Sequence, residues 1–272
     1  MDAAIGTRAS AALRLTGRDA LTVLNRVTTQ RLDDLGAGEA RTTLFCDFRG
    51  RLQHRVTVAH ATDGAVWLLR EDGPGAELAA HVDRSVFREE VRIEDRSGDW
   101  PVTLVVWPDT AEPVGAQPAI VPVEGGFALA LGRAAAAAQP ADEAMRIERG
   151  RARHGAEIVD EYTPYEVNLA AHVHLAKGCY TGQEALQRLM TYGSVRRRLV
   201  RFEGHRAPPE PQALFAGGEE TGRLTSVAGR GDGWIALAVV KIAALESGES
   251  FALSSGATLP APRPFPLAMP LR

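Results

Sequence analysis

A cysteine beside a lysine, just before a run of helix-forming residues, is the feature of this sequence with the clearest chemical potential. Cys179 lies in the run 177–184, which reads Lys-Gly-Cys-Tyr-Thr-Gly-Gln-Glu. Thr181 followed three residues later by Glu184 is a capping-box pattern, so we predict that Thr181 is a helix N-cap. Unsatisfied N–H groups and the positive end of the helix dipole would then lie near Cys179. With Lys177 close by, this environment favours a nucleophilic thiolate.

The alternative interpretation of the same cysteine is structural, since a single cysteine in a globular protein is commonly a small buried apolar residue. Two features favour the chemical interpretation. Gly178 and Gly182 bracket the cysteine and predict a bend, which a core position does not require. Lys177 and Lys241 are the only lysines, all other basic side chains except histidine being arginine, so position 177 selects a compact ammonium.

Composition limits the class of protein. A length of 272 residues with 45% hydrophobic and 24% charged residues is typical of a globular protein with one large domain or several small ones. The formal net charge of -3 argues against broad binding to nucleic acids. Two cysteines provide neither a disulfide framework nor four thiolates for an iron–sulfur cluster. With no secretory signal and no apolar run of membrane-spanning length, we expect a cytoplasmic protein.

Hydrophobic periodicity divides the chain into an α+β segment 1–98, a second α+β segment 99–195 and an all-β segment 196–272. The first segment has five predicted strands and two predicted helices. The strands are at 11–15, 41–45, 52–59, 65–69 and 91–93, and the helices at 19–30 and 74–87. The third segment has short strands about ten residues apart, which is typical of a small barrel or sandwich. These strands are at 199–202, 213–215, 221–227, 235–240 and 250–253.

The second segment has two predicted strands, 102–106 and 127–131, separated by a proline-rich stretch, 108–126, that we interpret as a loop. Helices are predicted at 134–138 and 142–151. Another helix start is predicted at Thr163, which is followed by proline and then, three residues after the threonine, by glutamate.

Three further patterns have simpler interpretations than the chemistry they suggest. His172 and His174 lack a third ligand at a familiar spacing, so we expect them on one face of an element and predict no metal site. Alternating glycines at 229–233 predict a hairpin turn, because no phosphate-loop lysine follows them. The arginines at 196–198 indicate either a solvated strand face or a contact with an anionic tail.

Arg146 and Glu148 lie within the predicted helix 142–151. An arginine there would suit a two-pronged contact with a carboxylate. Glu148 would orient a neighbouring loop, because residues two apart on a helix point in different directions. Taken alone, the pattern favours ordinary surface ion pairing for both residues.

Several of these stretches together resemble one family. They are the run 177–184, Arg-Ile-Glu-Arg-Gly at 146–150, Thr-Pro-Tyr-Glu-Val-Asn-Leu at 163–169, Leu-Thr-Gly-Arg-Asp-Ala at 15–20 and Asp-Phe-Arg-Gly-Arg at 47–51. The sequence is similar to the YgfZ-type folate-binding proteins, which are relatives of the glycine-cleavage T-protein, an aminomethyltransferase. The resemblance implies an α+β fold in which two ferredoxin-like folate-binding units form a cloverleaf arrangement with a C-terminal β-barrel.

The resemblance also implies a function. It indicates a role in the maturation or repair of iron–sulfur enzymes, including those that modify transfer RNA, that acts through Cys179. In the catalytic pair Cys179 and Lys177, the lysine is expected to stabilise the thiolate. Tetrahydrofolate or a derivative is the implied cofactor, and iron–sulfur proteins or their assembly machinery are the implied partners. Membrane association and direct nucleic-acid binding are not expected. The implied folate contacts are Arg146, Glu148, Asn168, Tyr180 and Gln183.

The sequence departs from the T-proteins where those enzymes carry acids. Residues 50–55 read Gly-Arg-Leu-Gln-His-Arg, and residues 126–129 read Gly-Phe-Ala-Leu, so the expected carboxylates are absent. Without them there is no evident base to activate a folate nitrogen, and aminomethyl transfer is not expected. Two alternatives stay open. The protein is either a folate-dependent one-carbon transferase that uses different acids, or a non-enzymatic scaffold in which Cys179 is structural.

Overall fold

The computed structural model describes residues 9–107, 119–134, 138–205 and 208–272. These residues form two compact units, each assembled from separated parts of the chain. Unit 1 lies within Met1–Cys46, His54–Ala141 and Ala176–Thr181, and unit 2 within Asp47–Gln53, Asp142–Leu175 and Gly182–Arg272.

Unit 1 begins with a ferredoxin-like arrangement of strands and helices. The elements are β1 (Ala11–Thr16), α1 (Ala20–Val27), β2 (Ala40–Cys46), β3 (Leu52–His60), β4 (Val66–Arg70), α2 (Gly75–Asp83) and β5 (Arg92–Asp95). The sheet order is β2-β3-β4-β1-β5, in which β1 pairs antiparallel with both β4 and β5. Without β2, this is the order of a ferredoxin-like βαββαβ unit, so β2 is an added edge strand.

Alternation along the strands explains why this sheet is buried on both faces. Leu13, Val56 and Leu68 pack with residues of α1 and α2 on one face. Trp67 and Leu69 point to the other face, where they pack with residues of a second, smaller sheet. The five-stranded sheet is therefore the middle layer of unit 1, between two helices and the smaller sheet.

The smaller sheet has three strands rather than the two predicted. They are β6 (Val102–Val106), β7 (Ile120–Val123) and β8 (Phe127–Leu131), in the order β6-β8-β7. The loop predicted throughout 108–126 is therefore wrong at β7. Pro122 is tolerated there because β7 is an edge strand, where a missing N–H costs little. Ala135–Ala137 of the predicted helix 134–138 lie outside the described residues.

Unit 2 combines a few short helices with a six-stranded sheet. The helices are α3 (Glu143–Glu148), a 3-10 turn (Ala170–His172), α4 (Gln183–Thr191) and α5 (Ile242–Glu246). The strands are β9 (Arg197–His205), β10 (Ala213–Ala216), β11 (Glu219–Arg230), β12 (Gly233–Lys241), β13 (Ala252–Leu253) and β14 (Arg263–Pro264). Their order among the described residues is β13-β10-β11-β12-β9-β14.

The central strand β12 is apolar on both faces, as its sequence requires. Ala236, Ala238 and Val240 belong to the core cluster on one face. Ile235 and Leu237 alternate with them and are also buried. The hairpin predicted from the glycines at 229–233 is confirmed, since a two-residue connection joins the β11 and β12 ends.

The helix predicted to start at Thr163 is wrong, although half of its capping box forms. The Glu166 carboxylate accepts hydrogen bonds from the Thr163 N–H at 2.9 Å and from the Thr163 hydroxyl at 3.1 Å. Residues 164–168 then form turns that end at Asn168, which has a φ of 62°. A left-handed residue breaks the helical hydrogen-bond ladder, and asparagine is one of the few residues that adopts it readily.

Candidate functional site

The segment that carries Cys179 belongs to unit 1 and has two exposed residues between two buried ones. Lys177 and Tyr180 are only 6% and 7% exposed. Gly178 and Cys179, which lie between them, are exposed. The thiol is thus presented to solvent on a short stretch held at both ends by buried side chains.

The amino group of Lys177 lies in a cradle of backbone carbonyls. It donates hydrogen bonds to the carbonyl oxygens of Asn25, Thr28 and Gln30 at 2.6, 2.7 and 2.6 Å. The side-chain oxygen of Asn25 lies a further 3.2 Å from the same nitrogen. An ammonium group has three hydrogens to donate, so the three carbonyl oxygens match its capacity, and the longer contact with the Asn25 side chain shares one of them.

The acceptors of Lys177 come from the end of α1 and the loop after it. The last carbonyls of a helix have no partner within the helix, and a cation near them is favourable. The loop is itself well ordered, because Thr29 N–H donates to the Leu44 carbonyl at 2.9 Å and Gln30 N–H to the Thr43 hydroxyl at 3.0 Å. Lys177 therefore caps α1 from a distant part of the chain.

Burial lowers the pKa of Lys177 from 10.5 to about 7. The Asp33 carboxylate opposes this shift and the Arg31 guanidinium adds to it. The amino group also lies 5.0 Å from the centre of the Tyr180 ring, within the range of a cation–π contact. The effect of Lys177 on the Cys179 thiol stays a prediction, while its observed hydrogen bonds are with the loop after α1.

The helix after the cysteine begins one residue later than predicted. Gly182, not Thr181, is the N-cap of α4, with a φ of 83°. A Cβ atom at Gly182 would collide with the carbonyl oxygen of Asp47, which also belongs to unit 2. Asp47 is in turn fixed by its side chain, which accepts from the N–H groups of Arg49 and Arg51 at 2.8 Å each. The helix therefore begins after Gly182 rather than after Thr181, because only glycine fits the left-handed turn beside the Asp47 carbonyl.

Replacing Gly182 by alanine is expected to destabilise the protein by about 2–4 kcal/mol, combining a left-handed backbone with steric overlap. Equilibrium urea unfolding measures the loss. Gly64→Ala is the matched control, because Gly64 has a φ of 84° and its added Cβ would meet nothing within 4 Å. Equal losses in the two variants would show that the approach to Asp47 is not a constraint.

Gln183, the first residue of α4, binds its own unit. Its side-chain amide donates to the Leu175 carbonyl at 3.3 Å, and Gln187 donates to the same oxygen at 3.1 Å. The N–H of Leu175 donates to the carbonyl of Leu271 at 2.9 Å. The residue just before the cysteine segment is therefore held by α4 and by the C-terminal end of the chain.

Arg146 makes the two-pronged contact that its position suggested, but with a carboxylate of the same helix. Its guanidinium donates to the two oxygens of Glu143 at 3.1 and 2.7 Å. It also donates to the Arg151 carbonyl and, at 3.3 Å, to Glu157. Arg146 is 5% exposed and Glu157 is 0% exposed, so this is a buried ion-pair network.

Glu157 joins this network to the C-terminal sheet within unit 2. One of its oxygens accepts from the hydroxyls of Thr225 and Ser226 on β11 at 2.5 and 2.6 Å. The other accepts from the Arg153 N–H at 3.0 Å as well as from Arg146. A buried carboxylate needs such a complete set of donors.

Two more predicted folate contacts also bind residues of unit 2. The Glu148 carboxylate pairs with Arg230 at 2.7 Å. The side-chain oxygen of Asn168 accepts from the Ala268 N–H at 3.2 Å. Arg146, Glu148, Asn168 and Gln183 therefore lie in unit 2, whereas Tyr180, Lys177 and Cys179 lie in unit 1.

Each of these four side chains of unit 2 has a partner within that unit. A carboxylate ligand at Arg146 would have to replace Glu143, whose side chain is one-quarter exposed. The contact partners of Arg146 and Lys177 were not predicted, and only one of them had a sequence pattern that could have indicated it. Glu143 lies three residues before Arg146, a spacing that places the two on one helix face. Glu157 and the acceptors of Lys177 gave no local signal.

Comparison with known proteins matches two parts of the chain to family models. Residues 7–116 match the GCVT N-terminal domain, and residues 196–266 match the CAF17 C-terminal beta-barrel domain. The fold is similar to that in the crystal structure of the glycine cleavage system aminomethyltransferase T from Bartonella henselae. That similarity has a TM-score of 0.68 at 19% identity and covers 96% of this chain and 86% of the other.

Two curated proteins are similar in sequence. A putative chloroplastic transferase of Arabidopsis thaliana is 36% identical over 111 residues, which are 40% of this chain and 26% of that protein. The chain thus spans about a quarter of the length of the plant protein. An aminomethyltransferase of Rubrobacter xylanophilus is 26% identical over 259 residues, covering 77% of this chain and 68% of that protein.

These findings confirm the predicted fold class, an α+β protein with a GcvT-like fold and a C-terminal domain of the β-barrel type. The two domain matches and the similarity to an aminomethyltransferase support the predicted resemblance to GcvT-like proteins of the CAF17/YgfZ type. Within the described residues, no helix is both long and apolar enough to cross a membrane.

Proposed function

We propose that this protein is a folate-binding accessory protein for the maturation or repair of iron–sulfur enzymes, including enzymes that modify transfer RNA, and that it acts through Cys179. The observation that carries the proposal is the presence of a GCVT N-terminal domain and a CAF17 C-terminal barrel domain in one chain. Its partners are iron–sulfur proteins or their assembly machinery, and its cofactor is tetrahydrofolate or a derivative.

The state of the cysteines supports this proposal. Cys179 is exposed, as a group that meets a partner or a cluster precursor must be. A chain with only two cysteines has no disulfide framework, which is typical of proteins in a reducing compartment. We therefore assign the protein to the cytoplasm, although the similar plant protein is named as chloroplastic.

The chain's own residues have distinct tasks in this proposal. Cys179 presents the reactive sulfur, and Tyr180 packs beside it as a buried ring. Arg146 is the proposed site for a glutamyl carboxylate of the folate, which would take the place of Glu143 in the guanidinium fork. Glu148, Asn168 and Gln183 complete the proposed folate contacts.

Replacing Cys179 by alanine is expected to abolish function without unfolding the protein, because an exposed side chain contributes little to packing. The measurement is the activity of an iron–sulfur enzyme in a strain that lacks the native protein and expresses either form. Cys46→Ala is the matched control, since Cys46 is buried and has no proposed chemical task. Full restoration of enzyme activity by Cys179→Ala would remove the thiol from the mechanism.

A second candidate function is folate-dependent one-carbon transfer. Similarity to an aminomethyltransferase over most of the chain favours it. The missing acids weigh against it, and Asp47, the carboxylate next to residues 50–55, is engaged in its own turn. Incubation of the pure protein with tetrahydrofolate and an aminomethyl donor separates the candidates. The aminomethyl carbon is already at the oxidation level of the product, so a transferase forms methylene-tetrahydrofolate and releases ammonia without an oxidant. A non-enzymatic scaffold would show neither product formation nor dependence on Cys179.

A further inference from the structure

The contacts of Lys177 suggest a different task from that of a charged neighbour to the thiol. Its hydrogen bonds of 2.6–2.7 Å go to three backbone carbonyls of residues 25–30. Those acceptors lie about 150 residues away in sequence, and all of them belong to unit 1. A buried amino group held by three carbonyls fixes the position of its own backbone.

We propose that Lys177 is a positioning residue for Cys179: its amino group ties the segment Ala176–Thr181 to the loop after α1 and so fixes where the thiol is presented. Only Gly178 separates the two residues. An added Cβ at Gly178 would meet nothing within 4 Å, so no packing at that position holds the segment. The tie at Lys177 and the buried Tyr180 ring therefore hold the chain on either side of the thiol, and Arg31 adds a longer hydrogen bond of 3.4 Å to the Ala176 carbonyl.

The receiving loop is rigid enough to serve as an anchor. The Asn25 side-chain oxygen also accepts from the Leu32 N–H at 3.0 Å, which closes the loop across seven residues. The Thr28 hydroxyl donates to the Leu24 carbonyl at 2.8 Å. With the contacts of Thr29 and Gln30 to β2, the loop has hydrogen bonds along most of its length.

The geometry also explains why lysine occupies this position in a chain that otherwise uses arginine. Three carbonyl oxygens converge on one nitrogen, and an ammonium group is a compact point charge with three rotatable donors. A guanidinium is planar and spreads its five donors over a fork, so it does not satisfy three converging acceptors.

This inference rests on the proposed function only in treating Cys179 as the reacting group. The tie itself is tested without folate or any iron–sulfur enzyme, by hydrogen–deuterium exchange of the full chain read by mass spectrometry. Lys177→Met is the test variant, because methionine keeps an apolar chain of similar length and removes the donors. Lys241→Met is the matched control, since Lys241 is exposed and its amino group binds a single carbonyl, that of Glu220.

We expect Lys177→Met to raise the exchange rates of the peptides that cover 25–31 and 176–181 by at least tenfold. Peptides from β12 should exchange as in the parent protein, and Lys241→Met should change neither region. In the strain assay, Lys177→Met should lower iron–sulfur enzyme activity severalfold while Cys179 is still present. Unchanged exchange at 176–181, or equal acceleration throughout the chain, would overturn the positioning role.

Two further variants keep the test decisive. If Lys177→Met does not fold, Asn25→Asp tests the same tie from the other side, because a carboxylate oxygen replaces an amide oxygen beside the amino group. It should slow exchange at 176–181 severalfold, and equal or faster exchange would overturn the proposal. Cys179→Ala should leave exchange as in the parent protein. Failure of that variant to lose enzyme activity would count against the proposed function alone.

Discussion

Replacing Arg146 by methionine is expected to lower the free energy of unfolding by about 3–5 kcal/mol, because it leaves a buried carboxylate without its cation. Glu157 is fully buried and accepts from the Arg146 guanidinium. The same change removes the two-pronged partner of Glu143 and the donor to the Arg151 carbonyl. Urea unfolding followed by circular dichroism measures the loss.

The matched control for this prediction is Arg188→Met on α4. Arg188 pairs with Glu184 at 2.6 Å, but its side chain is 69% exposed. An exposed pair contributes about 0–1 kcal/mol, because water and salt screen it. If the two arginine variants lost the same stability, the network around Arg146 would not be the buried structural element that its contacts indicate.

The Arg146 variant also tests the predicted folate contact, provided that Glu143→Ala is measured beside it. Removal of Glu143 vacates the guanidinium fork, so a folate carboxylate that binds there should bind more tightly. Calorimetric titration with tetrahydrofolate should then show stronger binding for Glu143→Ala and much weaker binding for Arg146→Met. Equal affinities in all three proteins would refute the contact while leaving the stability prediction intact.

Patterns carried by consecutive residues predicted most of the fold. The strands of the first and third segments follow from two-residue alternation, and the hairpin at 229–233 follows from glycines between apolar runs. The strand β7 was missed because prolines dominated the composition around it. The helix expected at Thr163 failed for a different reason: half of its capping box forms, but a left-handed Asn168 ends the helical path.

The site was less predictable, because its decisive contacts join residues far apart in sequence. Lys177 was singled out by its type, yet its acceptors at 25–30 lie about 150 residues earlier in the chain. Gly182 was recognised as a bend but not as the cap, since only the nearby Asp47 carbonyl excludes a side chain there. Sequence identifies which residues matter, whereas the fold determines what each of them contacts.

Stability is expected to depend on pH through Lys177. Burial lowers its pKa to about 7, whereas in the unfolded chain the ordinary value of 10.5 applies. Between these values the unfolded state binds more protons, so the free energy of unfolding rises with pH, by at most about 1.4 kcal/mol per unit. Below pH 7 both states are protonated and the contribution is constant.

The difference between the parent protein and Lys177→Met isolates this effect, because the two chains share every other titrating group. The parent's free energy of unfolding should gain about 2–3 kcal/mol relative to the variant between pH 7 and pH 9. This is an upper range, since the carbonyl cradle favours the ammonium form and opposes the effect of burial. Urea unfolding of both proteins at half-unit pH steps measures the difference. A difference that stays flat above pH 7 would mean that the carbonyls of Asn25, Thr28 and Gln30 offset the burial of the charge completely.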